Sequence, residues 1–233
     1  MKARPQALDW PAIERELDAH GCAPLPQILT EAQCAELASL YAEDAKFRSK
    51  VVMARHGFGR GEYKYFCYPL PKLVAELRAS FYPPLAAIAN RMSMVLGEDA
   101  RFPAGHASYL KRCHEAGQSK PTPLLLKYGE SDYNCLHQDL YGEHVFPLQV
   151  AVLLSQPGRD FEGGEFVLTE QRPRQQSRAE VVPLAQGDGV LFPVRYRPVQ
   201  GTRGIYRVNM RHGVSRVRRG HRMTLGVIFH DAA

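Results

Sequence analysis

Residues His137-Gln138-Asp139 form an H-x-D tripeptide. In a strand, or at its immediate end, alternate side chains leave on the same side, so one imidazole and one carboxylate can reach a single ion. A third ligand must come from elsewhere. Two histidines and one carboxylate on one face of an ion leave three positions open, which a chelating keto acid and dioxygen would fill. Downstream, residues 211–224 read RHGVSRVRRGHRMT. This places His212 on one strand, a turn around Arg219-Gly220, and Arg222 at the start of the next strand. If the two segments pair as antiparallel neighbours, both side chains face one cavity. A guanidinium fixed there suits the far carboxylate of a dicarboxylate through bidentate pairing, and Thr224 adds a hydroxyl on the same side. The tripeptide alone is a weak signal. Chance gives about 0.35 H-x-D occurrences in a chain with nine histidines in 233 residues, and a polar strand-end pair would look the same.

Two kinds of element must position these groups. The first hundred residues read as helical. Asp9 is an N-cap, Pro11 suits an early helical position and Gly21 can stop the helix. Thr30-Glu-Ala-Gln33 is a capping-box pattern ahead of Cys34–Tyr41. Lys72–Leu96 is a further helix, which Pro83-Pro84 should kink or divide. Between the helices, Arg55–Tyr68 carries three glycines and five aromatics and suggests a hairpin or flap. From Leu124 onward the pattern changes to short apolar stretches, Leu124–Tyr128, Pro147–Ser155, Glu165–Leu168, Ala179–Leu184, Gly189–Phe192, Tyr206–Val217 and Arg222–His230, broken by glycine and proline turns. That spacing indicates an all-β sandwich or barrel, with no helical segments to build a parallel sheet.

The stretch from Leu124 to the C-terminus resembles the Fe(II)/2-oxoglutarate dioxygenase superfamily, in its prolyl-hydroxylase-like branch. The residues that carry the resemblance are Tyr128, Tyr133, His137 and Asp139, then Glu162-Gly-Gly-Glu165, then Pro183-Leu-Ala-Gln-Gly-Asp-Gly-Val-Leu-Phe192, then His212 through Arg222. It implies a mainly β, α+β fold: a double-stranded β-helix, or jelly roll, with N-terminal helices. The expected organisation is a single domain, 1–233, with 1–100 a mainly helical support and 101–233 the catalytic core. The resemblance implies that His137, Asp139 and His212 ligate Fe(II). It implies that Arg222 binds the 5-carboxylate of 2-oxoglutarate, with Tyr128 and Thr224 as hydroxyl donors. O2 is the oxidant, succinate and CO2 are products, and ascorbate is a candidate reductant. Related halogenases carry a small residue in place of the ligating carboxylate, so Asp139 implies hydroxylation.

The remaining features bound the setting. Hydrophobic residues make up 45% and charged residues 23%, which is ordinary for a globular chain. No apolar run is long enough for a bilayer, and no secretory signal is read at the N-terminus. Five cysteines without a C-x-x-C spacing read as free thiols and fit a cytoplasmic location. The net charge is +6, and twelve arginines against Glu180 and Asp188 lie between Arg172 and Arg222. Such a stretch is either a solvated rim or a surface for an anionic partner. The order of motifs favours a protein side chain or a small metabolite as substrate. Nucleic acid is the rival, since the base-repair pattern R-x-N-x-x-x-R does not follow His212. A jelly-roll binding module without turnover is the third reading. Arg55–Tyr68, Gln171–Arg178 and Arg195–Gly204 read as the loops that choose the substrate. Glu162-Gly-Gly-Glu165 reads as a tight turn before a strand. Tyr133 reads as a pocket wall, His144 as a lesser candidate for contact with substrate, and His106, His114, His221 and His230 as surface or satisfied groups.

Overall fold

A computed structural model describes residues 8–140, 142–202 and 204–233. Helix α1, Trp10–His20, starts where Asp9 Oδ1 accepts from Ala12 N at 3.0 Å and ends at Gly21, whose φ of 79° is left-handed. Helix α2, Glu31–Ser39, carries the expected capping box between Thr30 and Gln33. Helix α3, Lys72–Val95, runs through Pro83 and Pro84 as one helix, so the prolines do not divide it. Each interior proline costs roughly 3 kcal/mol. Leu77, Phe81, Tyr82, Leu85, Ile88 and Ala89 are buried on either side of the prolines, and packing of that apolar face holds the helix together.

The strands form two facing antiparallel sheets. The larger takes the order β1-β11-β7-β15-β5-β4-β2. Its members are Ala23–Leu25 (β1), Gly189–Pro193 (β11), Leu148–Leu153 (β7), Arg222–Val227 (β15), Leu124–Tyr128 (β5), Glu62–Phe66 (β4) and Phe47–Val52 (β2). The smaller takes the order β10-β9-β13-β6-β3, made of Arg178–Val182 (β10), Phe166–Gln171 (β9), Gly204–Val214 (β13), Tyr133–His137 (β6) and Gly59–Arg60 (β3). Strand β12, Tyr196–Gly201, adds to β13 as a hairpin, where a substrate-choosing loop was expected. Strands Phe161–Gly163 (β8) and Val217–Gly220 (β14) pair with each other. This is the double-stranded β-helix that the motif order implied.

Alternation sorts the side chains of the larger sheet. Leu125, Val150, Val152, Leu191, Leu225 and Val227 pack with Leu77, Phe81 and Leu85 of α3. Their neighbours Tyr128, Gln149, Ala151, Phe192, Arg222 and Thr224 line the space between the sheets, as a period of two requires.

The segment 1–100 is less helical than expected, because β1 to β4 lie within it. In β4 the alternation was hidden by Lys64. This lysine is buried, with Nζ 2.6 Å from Asp44 Oδ1 and 4.5 Å from the Tyr41 ring centroid. Arg55–Tyr68 is not a simple hairpin. β3 pairs with β6 of the smaller sheet, while β4 pairs with β5 and β2 of the larger. A fourth helix, α4 (His106–Glu115), falls within 101–233. The five cysteines are free. No helix among the described residues is long and apolar enough to cross a membrane.

A buried ion pair ties α3 to the C-terminal tail. Arg78 Nη2 donates to Asp231 Oδ1 at 2.6 Å and to His230 O at 2.8 Å, and Arg78 Nε donates to Ile228 O at 2.7 Å. Tyr68 Oη donates to the other carboxylate oxygen at 2.8 Å, and His114 Nε2 lies 2.8 Å from it. Burial raises the Asp231 pKa, but the Arg78 charge and these hydrogen bonds outweigh it and hold the carboxyl below its usual 3.8. Its stabilisation is therefore present at neutral pH and is lost as pH falls through the folded-state value. Asp231→Asn leaves Arg78 buried without its partner. We expect a cost of about 3–5 kcal/mol at neutral pH, a lower thermal midpoint, and a gap from wild type that narrows in acid. A melting curve like that of wild type at pH 7 would show that the pair carries no stability.

Candidate metal and co-substrate site

The site begins with strand register. In the β13–β6 ladder His212 pairs directly with His137, and directly opposed residues hold their Cβ atoms about 4.5–5.5 Å apart. The two imidazole centroids lie 4.2 Å apart. Asp139 follows two residues beyond the end of β6. Its Oδ1 lies 3.4 Å from His137 Nε2 and its Oδ2 lies 3.4 Å from His212 Nε2. The three ligand atoms lie within 4.8 Å of one another. Two nitrogens and one carboxylate oxygen on one side of an ion suit non-haem Fe(II) with open positions, so the donor set fits the iron that the motif implied.

Each ligand is oriented. His137 Nδ1 lies 2.8 Å from Cys135 O. As an Nδ1–H donor it leaves the Nε2 lone pair facing the ion position. His212 Nδ1 is buried with no hydrogen-bond partner. Packing holds this ring instead, with Phe192 at 4.6 Å and Phe166 at 6.1 Å between centroids. Gln138 points away from the ion. Its Nε2 donates to Met210 O at 2.8 Å and to Arg195 O at 3.2 Å, pinning the ligand turn to β13. Burial raises the Asp139 pKa, but hydrogen bonds from both histidines and their charges prevail and hold it well below 3.8. Burial pushes the His212 pKa down. For His137, burial lowers the pKa, but the Asp139 carboxylate outweighs that and raises it.

Arg222 does not sit on a neighbour of the His212 strand, as the sequence suggested. β13 lies in the smaller sheet and β15 in the larger, and the intervening residues form β14 rather than a bare turn. The chain crosses from one sheet to the other because 217–220 pairs with β8. Arg222 instead pairs with Tyr128 of β5 and faces the ligands across a cavity of about 430 Å³. Arg222 Nη1 donates to Thr224 Oγ1 at 2.5 Å. Its buried Nε has no hydrogen-bond partner, and it forms no ion pair among the described residues. Burial pushes its pKa down to about 10, so it is still a cation at neutral pH. Gly164, in the Glu162–Glu165 turn, makes room for it. A Cβ there would lie 2.8 Å from Arg222 Cδ, and its φ is +62°. All six expected site residues, His137, Asp139, His212, Arg222, Tyr128 and Thr224, line this one cavity.

Sequence reasoning missed several lining groups. Tyr63 and Tyr65 of β4 face the cavity edge-on to each other at 5.4 Å. Their period-two spacing was the available signal. Phe58, Gln149 and Asn134 also line it. Among the other histidines, His106 Nε2 lies 2.9 Å from Phe229 O, and His114 is bound to Asp231. Much of the arginine-rich stretch is paired within the chain, although Arg197 and Arg222 are its only buried arginines among the described residues. Arg172, Arg178 and Arg197 converge on Glu170, Arg207 meets Glu98, Arg218 meets Glu165 and Arg219 meets Glu162. Arg203 lies outside the described residues.

Residues 61–232 match the Oxygenase-NA family, described as an oxygenase catalysing oxidative methylation of damaged DNA. An uncharacterized protein of Mycobacterium tuberculosis, found in strains CDC 1551 / Oshkosh and ATCC 25618 / H37Rv, is 49% identical over 168 residues, covering 72% of each chain. Among solved structures, a Pseudomonas putida prolyl-4-hydroxylase is similar with a TM-score of 0.54 at 13% identity, covering 96% of this chain and 100% of its own. A 2OG-Fe(II) oxygenase family oxidoreductase from Burkholderia pseudomallei has a TM-score of 0.55 at 17% identity, covering 97% and 94%. At these identities the two structures support the fold.

Alanine at His137, Asp139 or His212 should abolish tight binding of one Fe(II) per chain in anaerobic titration calorimetry. Gln138→Ala should keep the stoichiometry but weaken affinity about tenfold or more, as loss of an outer support does. Wild-type affinity in all three ligand variants would remove the metal assignment.

Proposed function

Because the chain belongs to the Oxygenase-NA family, among the 2-oxoglutarate-dependent Fe(II) oxygenases, we propose that it hydroxylates an alkyl C–H on a damaged nucleobase. His137, Asp139 and His212 would hold the iron, and Arg222 would hold 2-oxoglutarate. The observation that carries the co-substrate assignment is the buried guanidinium with an unpartnered Nε, facing the ligand set across the cavity. An uncompensated buried charge costs several kcal/mol, and a dicarboxylate whose other end reaches the metal position relieves that cost.

When bound, iron supplies dioxygen activation coupled to oxidation of 2-oxoglutarate to succinate and CO2. One oxygen atom of O2 enters succinate and the other enters the C–H bond. A hydroxymethyl group formed on a ring nitrogen then leaves as formaldehyde, restoring N–H. The protein's own part is positional. His137, Asp139 and His212 occupy one side of the ion and leave the other for reactants. Asp139 remains ionised throughout. Arg222 and Thr224 fix the distal carboxylate, and the walls of Leu126, Val214, Phe166 and Phe192 keep water away.

For the substrate, motif order alone favoured a protein side chain or a small metabolite. The family description, which names damaged DNA, moves the proposal to the nucleic-acid rival. The arginine pairs noted above leave Arg174, Arg195, Arg211, Arg216 and Arg222 without an ion pair among the described residues; of these Arg211 lies on β13 itself, and the Arg195 carbonyl accepts from Gln138. Arg195 stacks over Tyr196 at 4.4 Å.

Arg222→Ala should raise the KM for 2-oxoglutarate roughly 30-fold or more, since losing a charged partner costs about 2–5 kcal/mol. Arg222→Lys should keep part of the affinity. An unchanged KM in the alanine variant would sink the co-substrate assignment. Methylated oligonucleotides, peptides and amino acids should be compared for succinate formation. Formaldehyde release from the oligonucleotides alone supports the substrate class, and a peptide gaining one oxygen mass instead would overturn it.

A further inference from the structure

Beside the cavity, β6 and its neighbours carry a patch of exposed apolar groups, of which Phe58 and Leu136 line the cavity itself. Among the described residues, the large hydrophobic side chains left exposed include Phe58 at 48%, Leu136 at 45%, Leu140 at 42% and Tyr133 at 38%. These four lie on β6, just after it, or on the segment that β6 pairs with. Clustered exposed apolar groups around a cavity mark a binding surface.

Phe58 is exposed but not loose. Its N–H donates to Met53 O at 3.2 Å, and its carbonyl accepts from Cys135 N at 2.9 Å. The next residue, Gly59, pairs with Asn134 of β6. The ring is thus fixed to the strand that carries His137, and it lines the cavity mouth. His56 stacks on it at 5.3 Å with an interplanar angle of 23°. That contact covers one face of a residue that is still 48% exposed. Two cations flank the ring in sequence. Arg55 is exposed. Arg60 pairs in register with Tyr133, and its side chain is 59% exposed, with only a long 3.8 Å contact to Asp132.

The depth of the ligands sets a further condition. Asp139 and His212 are 7% and 6% exposed, so the reacting carbon must enter the cavity. A base still stacked in a duplex cannot do so. We infer that the exposed Phe58 ring stacks on a single unpaired nucleobase as it enters the cavity, and that Arg60 and Arg55 hold the flanking phosphates. The inference rests on the nucleic-acid reading above and narrows it to single-stranded or locally unpaired substrate. An aromatic plane accepts any base, because every base has a π-face, and cations beside it track the backbone.

The test uses the full chain, a methylated single-stranded oligonucleotide for kinetics, and the same oligonucleotide with 2-aminopurine in place of the methylated base for fluorescence. Phe58→Ala should weaken binding and raise KM about 5- to 150-fold, the range for loss of one base–aromatic stack, with kcat changed less. It should also relieve the fluorescence quenching that stacking causes. Phe58→Trp should restore both, and thermal unfolding confirms that each variant is folded. Arg60→Ala should lower the log–log salt slope of binding by about 0.7, the value for one phosphate of a single strand. Wild-type KM and quenching in Phe58→Ala, with oligonucleotide oxidation intact, would overturn this inference and leave the substrate class standing. Preference for fully paired duplex would do the same. Failure of every oligonucleotide to be oxidised, while a peptide is, would overturn both.

Discussion

The pairing of His212 with His137 is the constraint on which the rest depends. Both residues lie in one antiparallel ladder, so their separation is set by backbone hydrogen bonds rather than by flexible side chains. A shift of one residue would turn one imidazole out of the cavity. The register changes between His212 and Val214, and such irregularities re-aim side chains next to functional sites. Gln138 adds a second fixing point on the same strand. The third ligand therefore needs only a two-residue step beyond the end of β6. Burial of Asp139 between two imidazoles then does two things. It makes the carboxylate the partner of both histidines in the metal-free site, and it places three donors where a cation replaces their mutual contacts.

The second constraint is a charge imbalance across the cavity. Arg222 enters from the opposite sheet with Thr224 as its hydrogen-bond partner and no carboxylate paired to it. Buried cations are ordinarily paired within the fold, as Arg78 is with Asp231 and Arg197 with Glu170. The contrast matters because the same chain solves the same problem both ways. At Arg78 and Arg197 the counter-ion is built in, whereas Arg222 faces a cavity with none among the described residues. Gly164 shows the cost in sequence. A left-handed glycine stands where any side chain would press on Arg222 Cδ, which gives the Glu162–Glu165 turn a role beyond reversing the chain.

What was legible follows from how local each signal is. The helix caps at Asp9 and Thr30 depend on residues three apart and were readable. The H-x-D step and the period-two alternation of Arg222 and Thr224 were equally local, and the order of motifs extended them to the fold. Sheet partnership was not local. Arg222 lies ten residues after His212, and the obvious hairpin was wrong because 217–220 finds β8 instead. Helix α3 kept Pro83 and Pro84 because its apolar face is buried, a tertiary term that outweighs local preference. Lys64 concealed β4 because its charge is balanced by Asp44 and by ring faces distant in sequence. The arginine excess likewise looked like a surface field. Glu170 alone pairs with three of those arginines, of which Arg197 is buried against the smaller sheet.

These two constraints lie on different sheets, and one segment connects them near the cavity. Residues 53–66 leave a short 3-10 turn, pair with β6 through β3, and then cross to β5 through β4. Phe58 is carried on the first half, at the mouth beside the ligand strand. Tyr63 and Tyr65 are carried on the second, against the wall that bears Tyr128 and Arg222. The span between them is only a few residues, and it joins the mouth beside the ligand strand to the wall of the facing sheet. Phe58 on one side of the cavity and Tyr63 and Tyr65 on the other are therefore placed by a single crossing, whose two ends are fixed by separate strand ladders.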